Sequence, residues 1–492
     1  MTDQNRWLVL VIVSGALFLI VIDMTVLYTA LPTLTLALGA TASEKLWIVN
    51  AYPLVVAGLL PGLGTLGDRL GHKQMFMAGL LVFGAASLGA AFAPSPAVLI
   101  AWRVVLAVGA AMMMPATLSI IRITFTDDKE RSFAIGIWAA VASGGAALGP
   151  VVGGVLLEYF WWGSVFLINV PVVLLAFIAG ALLLATRPGD PDRPWDLVAS
   201  VQIMVGLVGI IYAVKEMSKR DPSLAMAALT FMAGVASLFL FVRRQRTSAA
   251  PLIDFSLFSN PNFSSGVATA LVASGALIGV ELVFSQRLQL VLGYSPLEAG
   301  LLILPIPLAA FVAGPLTGLA LPYIATSRIL SGSLLLTALA LGLFLLTRHG
   351  APAIWIAPLA AMGFGIGAAM TAASSAIMLS APAERAGMAA SVEEVSYELG
   401  GALGIALLGS LLSILYTRAL VIPDGIEISA RARDSLDEAL ILSANLDSDD
   451  AARIAALARD AFDHAFAGVV GTAIVCLCLV TVLVWHISRK RP

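Results

Sequence analysis

The sequence predicts an all-α polytopic membrane protein, and three observations carry that expectation. Of 492 residues, 60% are hydrophobic and 12% charged, where soluble domains hold roughly 45–50% and about 25%. Mean hydropathy is +0.97. The apolar runs are continuous and about 20 residues long, the length of a helix that crosses a bilayer; a transmembrane barrel would show short alternating segments instead. The 44 glycines and 24 prolines suit close-packed, locally broken membrane helices. A soluble enzyme and a secreted disulfide scaffold are thereby excluded.

In chain order the runs fall at about 7–29, 46–67, 75–93, 98–121, 133–156, 165–186, 196–215, 223–242, 263–292, 298–320, 327–347, 354–378, 388–417 and 466–487. That makes fourteen helices, and an even number puts both termini on one side. With the termini in the cytoplasm, inner segments hold sixteen Lys and Arg against seven in short outer segments, so the positive-inside rule favours cytoplasmic N- and C-termini. Arg6 precedes the first run, but Asp23 follows and no small-residue cleavage site does, so the first run reads as an uncleaved helix. Cys476 and Cys478 sit two apart in an apolar helix, point to different faces and cannot bridge each other.

Two charged, Pro-containing stretches, 187–195 and 243–262, break the pattern of short loops. They divide the chain into a six-helix bundle (1–186), linkers with two inserted helices (187–262) and a second six-helix bundle (263–492). A weak repeat agrees: Val56-Ala57-Gly58 … Gly62 in the second run matches Val312-Ala313-Gly314 … Gly318 in the tenth. Two such halves with a cavity between them are a transporter architecture. From about 419 to 465 the chain turns polar and acidic. Caps at Ser429 and near Ser448, with an apolar stripe Ile454, Leu457, Ala461, Phe462, Phe466, predict an outer helical hairpin with arms near 430–444 and 450–465.

Four strings carry chemistry. The turn after the second run holds Gly64, Asp68, Arg69, Gly71 and Lys73 in the spacing G-x-x-x-D-R-x-G-x-K. Its glycines permit a tight turn, and Asp68 stands at a helix start, where the macrodipole favours a carboxylate. The fifth run holds Gly145, Gly149, Pro150, Gly153 and Gly154. Glycines four apart line one face and admit a neighbouring helix closely, and Pro150 bends the run. The first run carries Asp23 among apolar residues, and such an acid faces a cavity or a partner. The thirteenth run carries Glu393, Glu394 and Glu398. Glu394 and Glu398 are i, i+4 and share a face, while Glu393 lies about 100° around. Glu398 falls about 15 Å from the inner end, close to the midplane. Two poorly hydrated carboxylates on one face cannot both stay ionised cheaply. A group that titrates there holds a proton or a cation but not both, which is the physical basis of antiport. Glu393 reads either as a third such group or as a hydrated acid at the inner mouth. Arg103 in the fourth run is either a proton-coupling charge or the structural partner of Asp23. Glu281 in the ninth run is a further cavity acid; Met24, Tyr28, Tyr397 and Met370 are candidate apolar and cation–π contacts.

These strings resemble the major facilitator superfamily and, within it, the fourteen-helix drug:proton antiporter branch, its SmvA-like multidrug efflux group above all. The Gly64–Lys73 turn is similar to the superfamily's signature turn, which implies a conformational latch, with His72 standing where arginine is usual. The Gly145–Gly154 string resembles the motif of drug:proton exchangers. Asp23-Met24-Thr25-Val26 with Ala30-Leu31-Pro32, Trp47 with Ala51 and Tyr52, and Gly293, Ser295, Pro296, Ala299, Gly300, Leu304 and Pro305 resemble further strings of that branch. The resemblance implies a major facilitator fold with two additional helices, proton-coupling acids in the thirteenth helix and a proton-linked role for Arg103. Leu106 and Ala107 replace the Gln and Gly expected after that arginine, and the tenth run lacks the acid that some members carry there.

The sequence has no phosphate-binding loop, no metal-ligand spacing and no nucleophile elbow. The expectation is a secondary active transporter, not an enzyme, without cofactor, driven by the proton gradient. It would expel lipophilic cationic drugs, antiseptics and dyes across the inner membrane. The alternatives are a proton-coupled uptake symporter for a metabolite and a non-transporting scaffold or sensor. Its partners would be protons, small lipophilic cations and the bilayer, with no nucleic acid and, in the simplest case, no second copy.

Overall fold

The computed structural model describes residues 3–40, 42–190, 195–217, 222–248, 251–421, 436, 439–440 and 448–489. Among these, fourteen helices are long and apolar enough to cross a membrane, as the sequence predicts, and no strand occurs. They are α1 (Asp3–Leu38), α2 (Ala42–Leu70), α3 (His72–Ala91), α4 (Pro96–Thr124), α5 (Asp128–Tyr159), α6 (Asn169–Leu183, led in by the turn Ser164–Leu167), α7 (Leu197–Met217) and α8 (Leu224–Thr247). Then follow α9 (Pro261–Gln286, continued by a wider π-helical turn Arg287–Val291), α10 (Pro305–Ala320, led in by Pro296–Ile303), α11 (Thr326–Thr347), α12 (Pro352–Ser380), α13 (Ala386–Ala419) and α14 (Ser448–Arg489).

Local chemistry sets the ends of these helices. Ser95 opens α4 by accepting the Val98 N–H, with Pro96 at the first position, where its missing donor costs nothing. Asp127 caps α5 through the Lys129 and Glu130 amides. Ser295 and Glu298 form a reciprocal capping box before α10.

Helices α1–α6 share one buried cluster, from Val9 and Phe76 to Phe166. Most of the buried apolar residues of α9–α14 form another, around Phe284, Phe344, Trp355 and Phe466. The two sets meet where α2 packs on α13 and α5 on α10. Close glycine contacts bring these pairs together: a Cβ on Gly136 would lie 2.4 Å from the Gly314 carbonyl, and one on Gly64 2.4 Å from the Gly387 carbonyl. The two members of the sequence repeat therefore both serve close contacts. Gly314 and Gly318 touch α5, and Gly58 and Gly62 touch α7.

The expectation for the outer segment is corrected. The second hairpin arm is not separate, because Ser448–Arg489 is a single helix of 42 residues. The stripe Ile454, Ala458, Ala461, Phe462, Ala465, Phe466, Val469 is buried throughout. Its spacing runs through position 465 without a change of phase and without a breaker, so nothing ends the helix there. Asp463 ties this extension down, accepting from Arg287 at 2.6 Å and Arg348 at 3.2 Å. Of the first arm, Leu436 and Ala439 are buried in the same cluster, and the rest lies outside the described residues.

Candidate functional site

Helix α13 carries the acids, and glycines fix its position. A Cβ on Gly400 would lie 2.2 Å from the Leu271 carbonyl, and one on Gly404 2.1 Å from that of Gly275. That backbone-to-backbone approach to α9 turns other faces of α13 toward α12 and α2. Ser274 of α9 reinforces it by donating to the Tyr397 carbonyl at 2.7 Å.

On the α12 side, Glu393 is 0% exposed. Ser374 donates to its Oε1, and its Oε2 has no hydrogen-bond partner among the described residues. The hydrated reading of Glu393 at the inner mouth is thereby set aside. Tyr397, one turn on, donates to the Met370 carbonyl at 3.2 Å, so Glu393, Tyr397 and Met370 gather on one seam. Glu394 is 5% exposed, and its Oε1 likewise lacks a partner. Glu393 and Glu398 stand one residue and one turn away from it on the same helix. Glu398 is half-buried. An unpartnered buried carboxylate oxygen is costly, so this cluster suits an incoming proton or cation.

Asp23 and Arg103 form a second centre, contributed by α1 and α4. Both are buried. Arg103 Nη1 donates to Asp23 Oδ2 at 2.8 Å, and Asn169 Nδ2 donates to Asp23 Oδ1 at 2.8 Å. Asn169 also reaches Ser87 Oγ at 3.1 Å. Both oxygens of Asp23 are thus engaged by protein groups. Arg103 Nε donates to the Ile48 carbonyl at 3.3 Å, and its guanidinium lies 4.5 Å from the Tyr52 ring centre.

At the Arg6 end of the molecule the Gly64–Lys73 turn joins the two helix sets. Gly71 takes φ 101°, the left-handed region that favours glycine. Asp68 does not open α3 as its position suggests, because α2 runs on to Leu70 and Gly71 makes the turn; it is buried in the last turn of α2 and accepts the Gly387 and Met388 amides at 2.8 and 3.2 Å, the free N–H groups at the start of α13. His72 Nε2 stands 3.4 Å from Asp68. Lys73 donates to the carbonyls of Ala181 and Leu184, so it anchors the end of α6. Arg122 adds a second tie across the sets, to the Ala381 carbonyl at 2.5 Å. A cavity of about 290 Å³ opens beside the turn, and Glu393, Glu394 and Glu398 are not among the residues that line it.

The fifth-helix string packs on α1. Cβ atoms on Gly145, Gly149 and Gly153 would meet Val21, Thr25 and Thr29 respectively, at 1.8 Å in the case of Gly149 and Thr25 Oγ1. Gly154 has nothing within 4 Å and stands off this face. The side chains of Tyr28 and Pro150 lie outside the described residues. Met24 is half-buried beside Asp23. Glu281 stands apart from the acid cluster: the neighbouring Gly279 packs on Gly404 and Leu408, beyond Glu398 along α13.

Sequence reasoning missed Asn169 and Ser374. A lone amide in the apolar run 165–186 was the available signal for Asn169. Ser374, in a run of small residues, gave none.

The chain matches a model of the Major Facilitator Superfamily over residues 13–405. It is 41% identical over 490 residues to the methyl viologen resistance protein SmvA of Salmonella typhimurium, covering 99% of each. It is 38% identical over 482 residues to the multidrug efflux pump LfrA of Mycolicibacterium smegmatis, covering 97% of this chain and 95% of that one. Among solved structures, the human organic anion transporter MFSD10 aligns with a TM-score of 0.62 at 16% identity, over 97% of this chain and 100% of the other. The proton:xylose symporter XylE aligns at 0.63 and 11%, over 99% and 96%. At these identities the two structures bear on the fold alone.

Proposed function

We propose that this chain, which belongs to the Major Facilitator Superfamily, expels lipophilic cations in exchange for protons. Membership makes it a transporter rather than an enzyme, and its fourteen spans together with its bacterial efflux relatives make it a multi-pass protein of the inner membrane. The observation that carries the exchange reading is the pair of buried carboxylates, Glu393 and Glu394, each with an oxygen that meets no donor among the described residues. Such a group is stable when it holds a proton or faces a cation, and costly when bare. Proton and guest therefore compete for one place, and the gradient of one drives the other outward.

In this reading Glu393, Glu394 and Glu398 take the proton and the guest in turn, and Asp23, paired with Arg103 and Asn169, contributes a fixed negative charge toward the guest. Tyr397, Met370 and Met24 supply apolar and cation–π contact. Glu281 meets the guest on its way out. Asp68 is the latch; Arg69, Lys73 and the termini lie on the cytoplasmic side. No cofactor is required. The names of the two relatives, a methyl viologen resistance protein and a multidrug efflux pump, support a cationic, chemically broad substrate class.

The test is methyl viologen or ethidium transport in membrane vesicles, with and without an imposed pH gradient. Accumulation that collapses with the gradient is expected. Accumulation indifferent to it would sink the exchange reading.

A further inference from the structure

Tyr52 is absent from the mechanism above, although the structure encloses it at the junction of the two helix sets. It is 0% exposed, and its Oη has no hydrogen-bond partner among the described residues. A buried tyrosine usually finds a partner for its hydroxyl. What this residue does engage is its ring, 4.5 Å from the Arg103 guanidinium. One turn earlier on the same helix, the Ile48 carbonyl accepts from Arg103 Nε at 3.3 Å. Helix α2 therefore grips the arginine twice, by a carbonyl and by a π face, while α1 holds it through Asp23.

The surroundings give that grip a consequence. Leu54 and Ala57, just beyond Tyr52, pack with Leu399 and Ala402, just beyond Glu398. Tyr52 thus stands level with the acids of α13. Charged groups lie on three neighbouring elements: Arg103 on α4 beside the ring and Asp23 on α1 bonded to that arginine, with Glu398 on the turn of α13 that packs against α2. From α7, Tyr212 stacks on Trp47, on the preceding turns of α2. An arginine tethered only to Asp23 would be released whenever that acid is neutralised. One also held by a ring and a carbonyl stays in place.

We propose that Tyr52 is a positioning residue for coupled transport: its ring fixes the Arg103 guanidinium on α2, so that the cation stays beside Asp23 on the helix that packs against the acid-bearing α13. The proposal rests on the exchange reading for its function but not for its geometry, and the test separates the two.

Full-length wild type, Tyr52→Phe and Tyr52→Leu are compared for proton-driven ethidium transport across acid to mildly alkaline pH. Tyr52→Phe keeps the ring and is expected to reproduce the wild-type profile. Tyr52→Leu is expected to displace the midpoint by about one pH unit, the effect of moving a full charge near a carboxylate. Where Tyr52→Leu fails to accumulate, Tyr52→Met, which keeps bulk without a π face, takes its place. A leucine or methionine profile that overlies wild type, or a phenylalanine profile displaced as far, would overturn the proposal. A thermal-unfolding cycle of Tyr52→Leu with Arg103→Gln gives the second readout: the leucine effect is expected to fall by at least half once Arg103 is gone. An undiminished effect overturns the positioning role. Wild type without any proton-driven transport defeats the exchange reading, and the cycle then still decides the role of Tyr52.

Discussion

The Asp68 carboxylate accepts the backbone N–H of Gly387 at 2.8 Å, joining the end of α2 to the first turn of α13. The contact is between a charge and the free donors of a helix start, so it needs a carboxylate and not merely a polar residue. Asp68→Asn would keep the size and present an NH₂ group to one of the two N–H groups. Two charge-assisted bonds are lost or weakened, each about 1.5–3 kcal/mol. Vesicle transport is expected to fall at least about tenfold, with a cysteine placed at Thr124, which lines the cavity beside the turn, more reactive to a water-soluble thiol reagent. Unchanged reactivity would show that the contact does not hold this end closed.

The glycine face of α5 gives a contrast within one string. A methyl group on Gly149 collides with Thr25, whereas one on Gly154 meets nothing. Gly149→Ala is expected to cost about 1–3 kcal/mol by forcing α1 and α5 apart, and to lower the melting temperature and transport together. Gly154→Ala should match wild type in both. Equal effects would remove the close approach as the reason for the string.

Asn169 holds the second oxygen of Asp23. Asn169→Leu keeps the bulk and removes the donor, leaving a buried acceptor unpaired at about 1–3 kcal/mol. A drop in melting temperature is expected in wild type and not in an Asp23→Ala background, where the acceptor is gone, which isolates the pair.

Two carboxylates that lie outside the membrane spans, Asp254 and Asp196, are paired with arginines at helix ends. Burial disfavours the charge on Asp254, but hydrogen bonds from Ser256 and the charge of Arg385 outweigh it and hold the carboxyl below the ordinary aspartate value. Asp196 is held low in the same way, against slight burial, by Arg244 and the Ala199 amide. A folded value below the unfolded one adds stability above the ordinary carboxylate range, and that stability is lost only as pH falls through the depressed value. Both links therefore stay ionised near neutrality. Asp254→Asn and Asp196→Asn are expected to leave the near-neutral pH profile of transport unmoved; a displaced midpoint in either would place a coupling group in the linkers.

Much of this was legible because membrane helices announce themselves by continuous apolar length. The latch turn and the Gly145–Gly153 face also depend on local spacing that a sequence displays directly. The failures have physical causes as well. The hairpin arm merged with α14 because polarity on one face does not end a helix when the apolar stripe keeps its phase. Asp23 was visible as an intramembrane acid, but its engagement at both oxygens needed Asn169, 146 residues away. Burial of Glu393 depended on Ser374 of a neighbouring helix, and no pattern along the chain encodes that contact.

The central claim is that proton and cation take turns on the carboxylates of α13. Titrating unbuffered purified protein with tetraphenylphosphonium near neutral pH measures this without transport. The account predicts proton release on binding, markedly reduced in Glu394→Gln and Glu398→Gln. Binding of the cation with no proton released by wild type would contradict it.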